Sequence, residues 1–386
     1  MFAYRRRDRR GAALVYVCVI MLAMMGLASL SVDLGRYECA HVQLHSAADA
    51  AARTAALALS KSGATASSVT TAATTVATAN TADGQQITSS MVTVQLITWN
   101  DTTHTGAIAS GISTANAVRV YLSYSVPTVF AQVLGVTSKM AVESSTAELV
   151  KQVDTPTVYA TGNPWLAGEP AGTLGSQPDP NWSATSPNPD HRYKNDIAGT
   201  PGTDTNGGTE STSTYASYEP YNSPAKIAFT VTPGATVTIT NTSGIVQWDH
   251  GTSPNTDPSG NSGTNPSYDD AASGGISEHG MADVTMPLGS MVGVFLGSGL
   301  PDDIATVPPP LDFSTQAARD YDNLAPKVQQ PFYAGTGQTS GGTQQEIVVP
   351  ANATRLYLGI MDGWEWSNNN GSFSATVTET KVVTVQ

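Results

Sequence analysis

Residues 10–52 read RGAALVYVCVIMLAMMGLASLSVDLGRYECAHVQLHSAADAAA, and this stretch decides the architecture. From Ala12 to Val32 there are 21 residues without a charge. At 1.5 Å per residue a helix of that length crosses about 30 Å of hydrocarbon. A cleavable secretory signal has an apolar core of about 7–15 residues and ends at a small-x-small site. Here the run is longer, and Asp33-Leu-Gly-Arg36 leads straight into a helical pattern, so an uncleaved transmembrane anchor is expected. Beyond it, Leu34, Tyr37, Val42, Leu44, Ala47, Ala48, Ala51, Ala55, Leu57 and Leu59 fit a helix better than a strand, and alanine has the highest helix propensity. His41 and His45 lie four apart with Glu38 a turn earlier, a spacing open to a metal ion or to a polar membrane-proximal surface.

The charge distribution orients this anchor. The chain of 386 residues carries 18 basic and 31 acidic groups, a net of −13. Arg5, Arg6, Arg7, Arg9 and Arg10 against Asp8 give the first 11 residues +4, which leaves −17 for the rest. An arginine cluster before a span stays on the cytoplasmic side, so the remainder is expected to be exported. The acidic bulk argues against nucleic-acid binding, which needs a basic groove or stripe. Only 13% of residues are charged, against about 25% in an average soluble domain, and 35 Gly and 23 Pro point to short strands and long polar loops. The two cysteines, Cys18 and Cys39, both lie in the first forty residues, so the body has no disulfide and no thiolate chemistry. Cys18 lacks the small preceding residue of a lipidation site; Cys39 is open to an intermolecular disulfide or to a bland role beside the membrane.

Arg10-Gly-Ala-Ala13, the apolar span, Val32-Asp-Leu-Gly-Arg36 and Val42-Gln-Leu-His-Ser-Ala-Ala-Asp-Ala-Ala-Ala52 resemble the TadE/TadG-like proteins of Flp (tight adherence) pilus assembly. Prepilin-like members of that family have a Glu five residues after the cleaved Gly. The corresponding residue here is Tyr16, so the resemblance is to the uncleaved, TadG-like anchor. It continues to about residue 150 through a strand pattern at Met91–Trp99, another at Ala117–Leu122, and a last strand ending near Leu149. Val92, Val94 and Leu96, like Val118, Val120 and Leu122, alternate and can turn one apolar face onto the alanine-rich helix, with Ile97 and Tyr121 interrupting the pattern. The resemblance implies the bacterial inner membrane and other pilus-assembly proteins as partners.

Residues 168–224 are dominated by Gly, Ser, Thr, Pro, Asn and Asp and show no apolar period, so a linker is expected over 151–225 and a β-sandwich over 226–386. Lys226–Thr232, a turn at Pro233-Gly234 and Thr236–Thr240 read as a strand pair. Further strands fit Gly289–Leu296, Gln345–Val349, Arg355–Ile360 and Ser372–Val377. Asn163-Pro-Trp-Leu-Ala-Gly168, Thr232–Ile239, Leu288–Gly293 and above all Leu356-Tyr-Leu-Gly-Ile-Met-Asp362 followed by Asn368-Asn-Asn-Gly-Ser-Phe373 resemble the calcium-dependent galactose-binding lectins of the LecA type. That resemblance implies a calcium ion held by Asp362, Asn368, Asn369 and the backbone carbonyl of Trp248, with His279, Trp364 and Trp366 as candidate carbohydrate contacts. Calcium takes six to eight oxygen ligands, which an Asp with two Asn can begin to supply.

No Gly-x-x-x-x-Gly-Lys-Ser/Thr loop, His-Glu-x-x-His pair or Gly-x-Ser-x-Gly elbow occurs. Asp269-Asp270, Asp302-Asp303, Asp249-His250 and Glu278-His279 sit in turn-rich contexts as solvated loop polar residues. No enzyme is expected. The fold class expected is α+β: a cytoplasmic basic tail (1–11), a transmembrane helix (12–32), a helix with a small sheet (33–150), and an all-β sandwich of galactose-binding-like type. The expected function is a membrane-anchored structural or assembly component of a Flp-type pilus with an exported binding head. The alternative is a membrane-displayed, calcium-dependent carbohydrate-binding adhesin with no pilus role.

Overall fold

The computed structural model describes residues 10–61, 63–170, 223–248, 253–266, 279–303, 306–362, 366 and 369–385. Arg5, Arg6, Arg7, Arg9, residues 171–222 of the expected linker, Asp249, His250, Asp269, Asp270, Glu278, Trp364 and Asn368 lie outside them. The chain divides into two compact units, residues 1–150 with 382–386, and residues 151–381.

In the first unit the anchor and the helix after it are one element, α1 (Arg10–Ser60), followed by α2 (Ala66–Thr78). No proline interrupts α1, and besides Gly11 in its first turn its glycines, Gly26 and Gly35, lie in the helix interior, where a single Gly weakens but does not end a helix. The Thr65 side chain caps α2 by accepting from the Ser68 N–H, and the Ser68 hydroxyl oxygen accepts from the Thr65 N–H in return. An antiparallel sheet follows in the order β2-β1-β3-β4, built from β1 (Val92–Asn100), β2 (Thr105–Ile108), β3 (Ala117–Pro127) and β4 (Ser138–Asp154). Val94 pairs with Val120, Leu96 with Val118, and Val118 in turn with Ala147.

One face of that sheet packs on α1. Ala40, Leu44, Ala47, Ala48, Ala51, Ala52, Ala55 and Ala56 form one buried cluster with Val69, Ala73 and Ala77 of α2 and Val118, Val120 and Leu122 of β3. Alanines let helix and sheet approach closely, so density comes from proximity rather than from bulky side chains. Ile97 joins Trp99 and Ala117 in a small cluster of its own, which explains why it breaks the alternation of β1.

In the second unit two β-sheets enclose an aromatic core, and two further two-stranded ribbons pair Asn261–Pro266 with Pro287–Leu288 and Val284–Thr285 with Leu311–Asp312. One sheet has the order β10-β8-β12-β6, with β6 (Ala225–Lys226), β8 (Met291–Leu296), β10 (Phe332–Tyr333) and β12 (Arg355–Ile360). The other runs β9-β11-β7-β13, with β7 (Thr236–Gln247), β9 (Asn323–Leu324), β11 (Glu346–Val348) and β13 (Asn370–Val385), and β5 (Thr157–Tyr159) pairs with β13. Trp165, Phe295, Phe332, Trp366 and Phe373 are fully enclosed between them, and the Phe295 and Phe332 rings stack at 5.5 Å. A Cβ on Gly293 would come within 2.3 Å of the Phe332 ring, so only glycine lets that ring lie over β8.

Two expectations change here. Residues 226–232 and 236–240 are not a hairpin: β6 pairs with Tyr357 and Leu358 of β12, whereas β7 pairs with β13 in the other sheet. The Ile227 N–H donates to Leu356 O and the Val231 N–H to Thr354 O, so the segment follows β12 before Pro233-Gly234 carries it into the second layer. Residues 157–167 were expected within the linker, yet Val158, Ala160, Trp165, Leu166 and Ala167 are buried in the second unit's interior.

Candidate functional site

The polar residues of the Val32–Arg36 and Val42–Ala52 motifs are the joint between α1 and the rest of the first unit. Asp33 is buried, and its carboxylate accepts from the N–H groups of Val129 (2.8 Å), Phe130 (2.9 Å) and Ala131 (2.7 Å). Three amide donors replace water around the charge, which makes its burial tolerable. Arg36 donates to both carboxylate oxygens of Asp83, through Nε at 3.2 Å and Nη2 at 2.6 Å, the planar fork that arginine offers and lysine cannot. Asp83 and Gly84 form a two-residue hairpin turn, both at positive φ, and the Asp83 N–H donates to Gln43 Oε1 at 2.7 Å. Asp49 Oδ1 accepts from the hydroxyls of Ser145 (3.3 Å) and Thr384 (2.7 Å), tying the alanine-rich half of α1 to the sheet and to the returning C-terminal residues.

His41 and His45 do come together, through a residue the spacing did not point to. Glu143 of β4 receives the Nδ1 of His41 on one oxygen and the Nδ1 of His45, at 3.3 Å, on the other, while His41 Nε2 and the Tyr37 hydroxyl share a 2.7 Å hydrogen bond. Glu38 is exposed and takes no part. With both nitrogens of His41 engaged, the cluster serves as a polar tie between helix and sheet.

Glu148 of β4 is a titrating group the sequence did not single out. It is buried, accepts from Asn116 Nδ2 at 3.2 Å, and has its pKa pushed up to about 7, first by burial and then by the neighbouring Asp101.

In the second unit the structure brings together part of the expected calcium set. Asp362 and Asn369 are both buried, and Asn369 Nδ2 donates to Asp362 Oδ2 at 2.7 Å and to Ala160 O at 3.2 Å. Among the described residues, Asn369 Oδ1 is buried without a hydrogen-bond partner. Trp248 follows Gln247, which pairs with Asn370, and its carbonyl accepts from the Ser253 N–H at 3.4 Å. Trp366 is not a carbohydrate contact: its ring lies in the core 5.6 Å from that of Trp165, and its Nε1 donates to Ile360 O at 2.7 Å, leaving no face for a sugar. His279 sits instead with Glu169 and Asp302, their donor atoms within 4.8 Å of one another and His279 Nδ1 at 3.4 Å from Asp302 Oδ1. Two carboxylates and an imidazole there can hold a divalent ion or act as an ion pair at a turn.

Residues 11–58 match the family model described as "Putative Flp pilus-assembly TadE/G-like". Residues 42–147 match the one described as "Putative Tad-like Flp pilus-assembly". Together the two matches cover residues 11–147, all within the first unit. The matches stop at residue 147, and the likeness of the second unit to galactose-binding lectins finds no support in them. No curated protein and no solved structure matches the chain.

Proposed function

We propose that this protein is a non-catalytic, membrane-anchored component in the assembly of a Flp-type pilus. Residues 12–32 span the bacterial inner membrane, the arginine-rich N-terminus is cytoplasmic, and both folded units are exported, the second as a binding head. The observation that carries the reading is the coincidence of the matched region with the joint: Asp33 holds the long helix to the loop between β3 and β4, Arg36 holds it to the Asp83 turn and Asp49 to Ser145 of β4, and all of these residues lie within the two matches. α1 also contains an apolar window fit to span a membrane, with none of it buried in the protein. Counting surface pili in cells carrying Asp33→Ala, or residues 151–381 replaced by a short Gly/Ser linker, tests this. Loss of pili in the first and loss of attachment or of pili in the second is expected. Normal piliation and attachment in both would overturn it.

A calcium ion in the second unit is a further reading, favoured by the buried Asn369 Oδ1, which has no partner among the described residues, beside the Asp362 carboxylate. A ligand that binds only the folded state must raise its melting temperature. Calcium is thus expected to raise the melting temperature of the protein over that in chelator, and Asp362→Ala to abolish the difference. Equal melting with calcium and chelator would remove the proposal. The carbohydrate-binding alternative draws no comparable support, since Trp366 is enclosed.

A further inference from the structure

The loop between β3 and β4 has a composition and a position that pilus assembly by itself does not explain. From Thr128 to Thr137 it contains no ionisable residue, and it holds Val129, Phe130, Val133 and Val136 exposed, Val133 at 88%. A cluster of exposed large apolar side chains on a short loop is costly in water and marks a contact surface.

Most of the backbone N–H groups of the same loop have partners. The N–H groups of Val129, Phe130 and Ala131 all donate to Asp33. Those of Thr128, Val133, Gly135 and Val136 donate to Thr137 O, Phe130 O, Gln132 O and Ala131 O, the Thr128 hydroxyl to Val136 O, and the Gln132 amide to Thr128 O. Paired backbone with apolar side chains outward is what irregular structure needs in order to enter hydrocarbon, where an unpaired amide costs several kcal/mol.

The loop also lies against the span. Phe130, Ala131 and Val133 line a cleft of about 230 Å³ together with Gly26, Ser29 and Leu30 of α1. Gly26 is seven residues before Asp33, so the cleft reaches about 10 Å down the helix from that carboxylate. The hydroxyls of Ser29 and Ser31 donate to Met25 O and Leu27 O within the helix, so they present no unpaired group there. Immediately after the loop, Lys139 Nζ lies 3.6 Å above the Tyr37 ring, a Lys–Tyr pair of the kind that settles at headgroup level.

We propose that residues 129–136 seat in lipid as a second membrane contact, beside α1 in the leaflet on the side of the folded units, with Asp33 holding them there. The occupant is acyl chain rather than protein because the apolar loop is continuous with the uncovered surface of the span itself. The proposal rests on the anchor reading above. Its consequence is that the first unit does not swing freely on a single helix but rides on the membrane at a fixed depth.

The test uses the full chain in phosphatidylcholine/phosphatidylglycerol nanodiscs, with Cys18→Ser and Cys39→Ser, and one environment-sensitive fluorophore on Val133→Cys, Met21→Cys or Ile108→Cys. Ile108 is an exposed apolar residue on β2, whose strand partner Ile97 pairs with Ala117 at the opposite end of β3 from the loop. Lipids carrying a quencher on the acyl chain are expected to quench Val133→Cys and Met21→Cys several-fold more than Ile108→Cys, and Asp33→Ala to weaken quenching at Val133 alone. Quenching of Met21→Cys with Val133→Cys behaving like Ile108→Cys would overturn the proposal while leaving the anchor intact. Quenching at neither position would overturn the anchor reading and the proposal with it. A Val133 probe shielded from an aqueous quencher yet untouched by the lipid quencher would mean that protein covers the loop, which also overturns it.

Discussion

The two halves of α1 are one continuous helix with opposite surroundings. Between Leu14 and Val32 the described large apolar side chains stand outside the protein, as at Leu14 (69% exposed), Tyr16 (70%) and Leu27 (68%). Between Ala40 and Leu59 a stripe made mostly of alanine is buried against α2 and the sheet. Leucine, valine and methionine dominate in the candidate span, as hydrocarbon surroundings would require, because each buried methylene contributes about 0.8 kcal/mol in leaving water. Alanine dominates where the surroundings are protein, because close approach needs little side chain. The change of regime falls at Asp33–Arg36, where both charges are matched by the fold.

The sharpest way to break this contrast is to place the same charge in each half. Ala51→Asp buries an unpaired carboxylate in the alanine cluster and is expected to cost about 3 kcal/mol or more, so that the first unit fails to fold even in detergent, as read by circular dichroism and proteolysis. Val17→Asp is expected to leave the detergent-solubilised fold intact while costing about 3 kcal/mol in membrane insertion, read by carbonate extraction. Folding loss from Val17→Asp, or tolerance of Ala51→Asp, would erase the distinction.

A smaller effect is expected at the changeover. Asp33→Ala leaves the three N–H groups of residues 129–131 without their acceptor and should cost about 2 kcal/mol of first-unit stability by denaturant titration. Asp33→Asn, which keeps a carbonyl acceptor, should recover part of that loss.

The pH response separates the protein-packed region from the candidate span. Glu148 has its folded-state pKa raised to about 7 from an ordinary 4.5, so the folded state holds the proton more tightly than the unfolded chain. Its contribution is fully present below about 4.5 and is lost as the pH rises through about 7. Glu148→Gln should therefore flatten the fall in melting temperature across that window and raise it at pH 8, with little change at the acidic end. An unchanged pH slope would mean that Glu148 ionises freely. The smallest effect is expected from Val17→Ala, within about 0.5 kcal/mol in detergent, since that side chain touches no part of the fold.

Much of the first unit was legible because its signals are periodic. The uncharged run, the alanine stripe and the alternation of Val118, Val120 and Leu122 each depend on near neighbours in the chain. What Asp33 does was not, since its donors lie 96 to 98 residues away. Glu143 was hidden from the His41–His45 pair for the same reason.

The second unit was read less well, because its local signals fit more than one arrangement. A Pro-Gly turn between two alternating segments describes a hairpin and equally a crossing between layers, and the choice is made by β12, more than a hundred residues later. Trp366 beside a Gly- and Asn-rich turn suits a sugar platform or a core, and Trp165, two hundred residues earlier, decides for the core. Asp362 and Asn369 were singled out only through the resemblance to the lectins, whereas the grouping of His279 with Glu169 and Asp302 had no local signal.

The central claim, that α1 passes from lipid to protein near Asp33, can be tested with the two natural cysteines. Cys18 and Cys39 both lie on surfaces that the rest of the chain leaves uncovered, one on each side of the changeover. The measurement is the rate at which a charged maleimide labels each cysteine in nanodiscs, where both membrane faces are open to reagent. Rapid labelling of Cys39, with Cys18 protected until the lipid is dissolved, is the predicted result. Labelling of Cys18 at the rate of Cys39 with the bilayer intact would contradict the account.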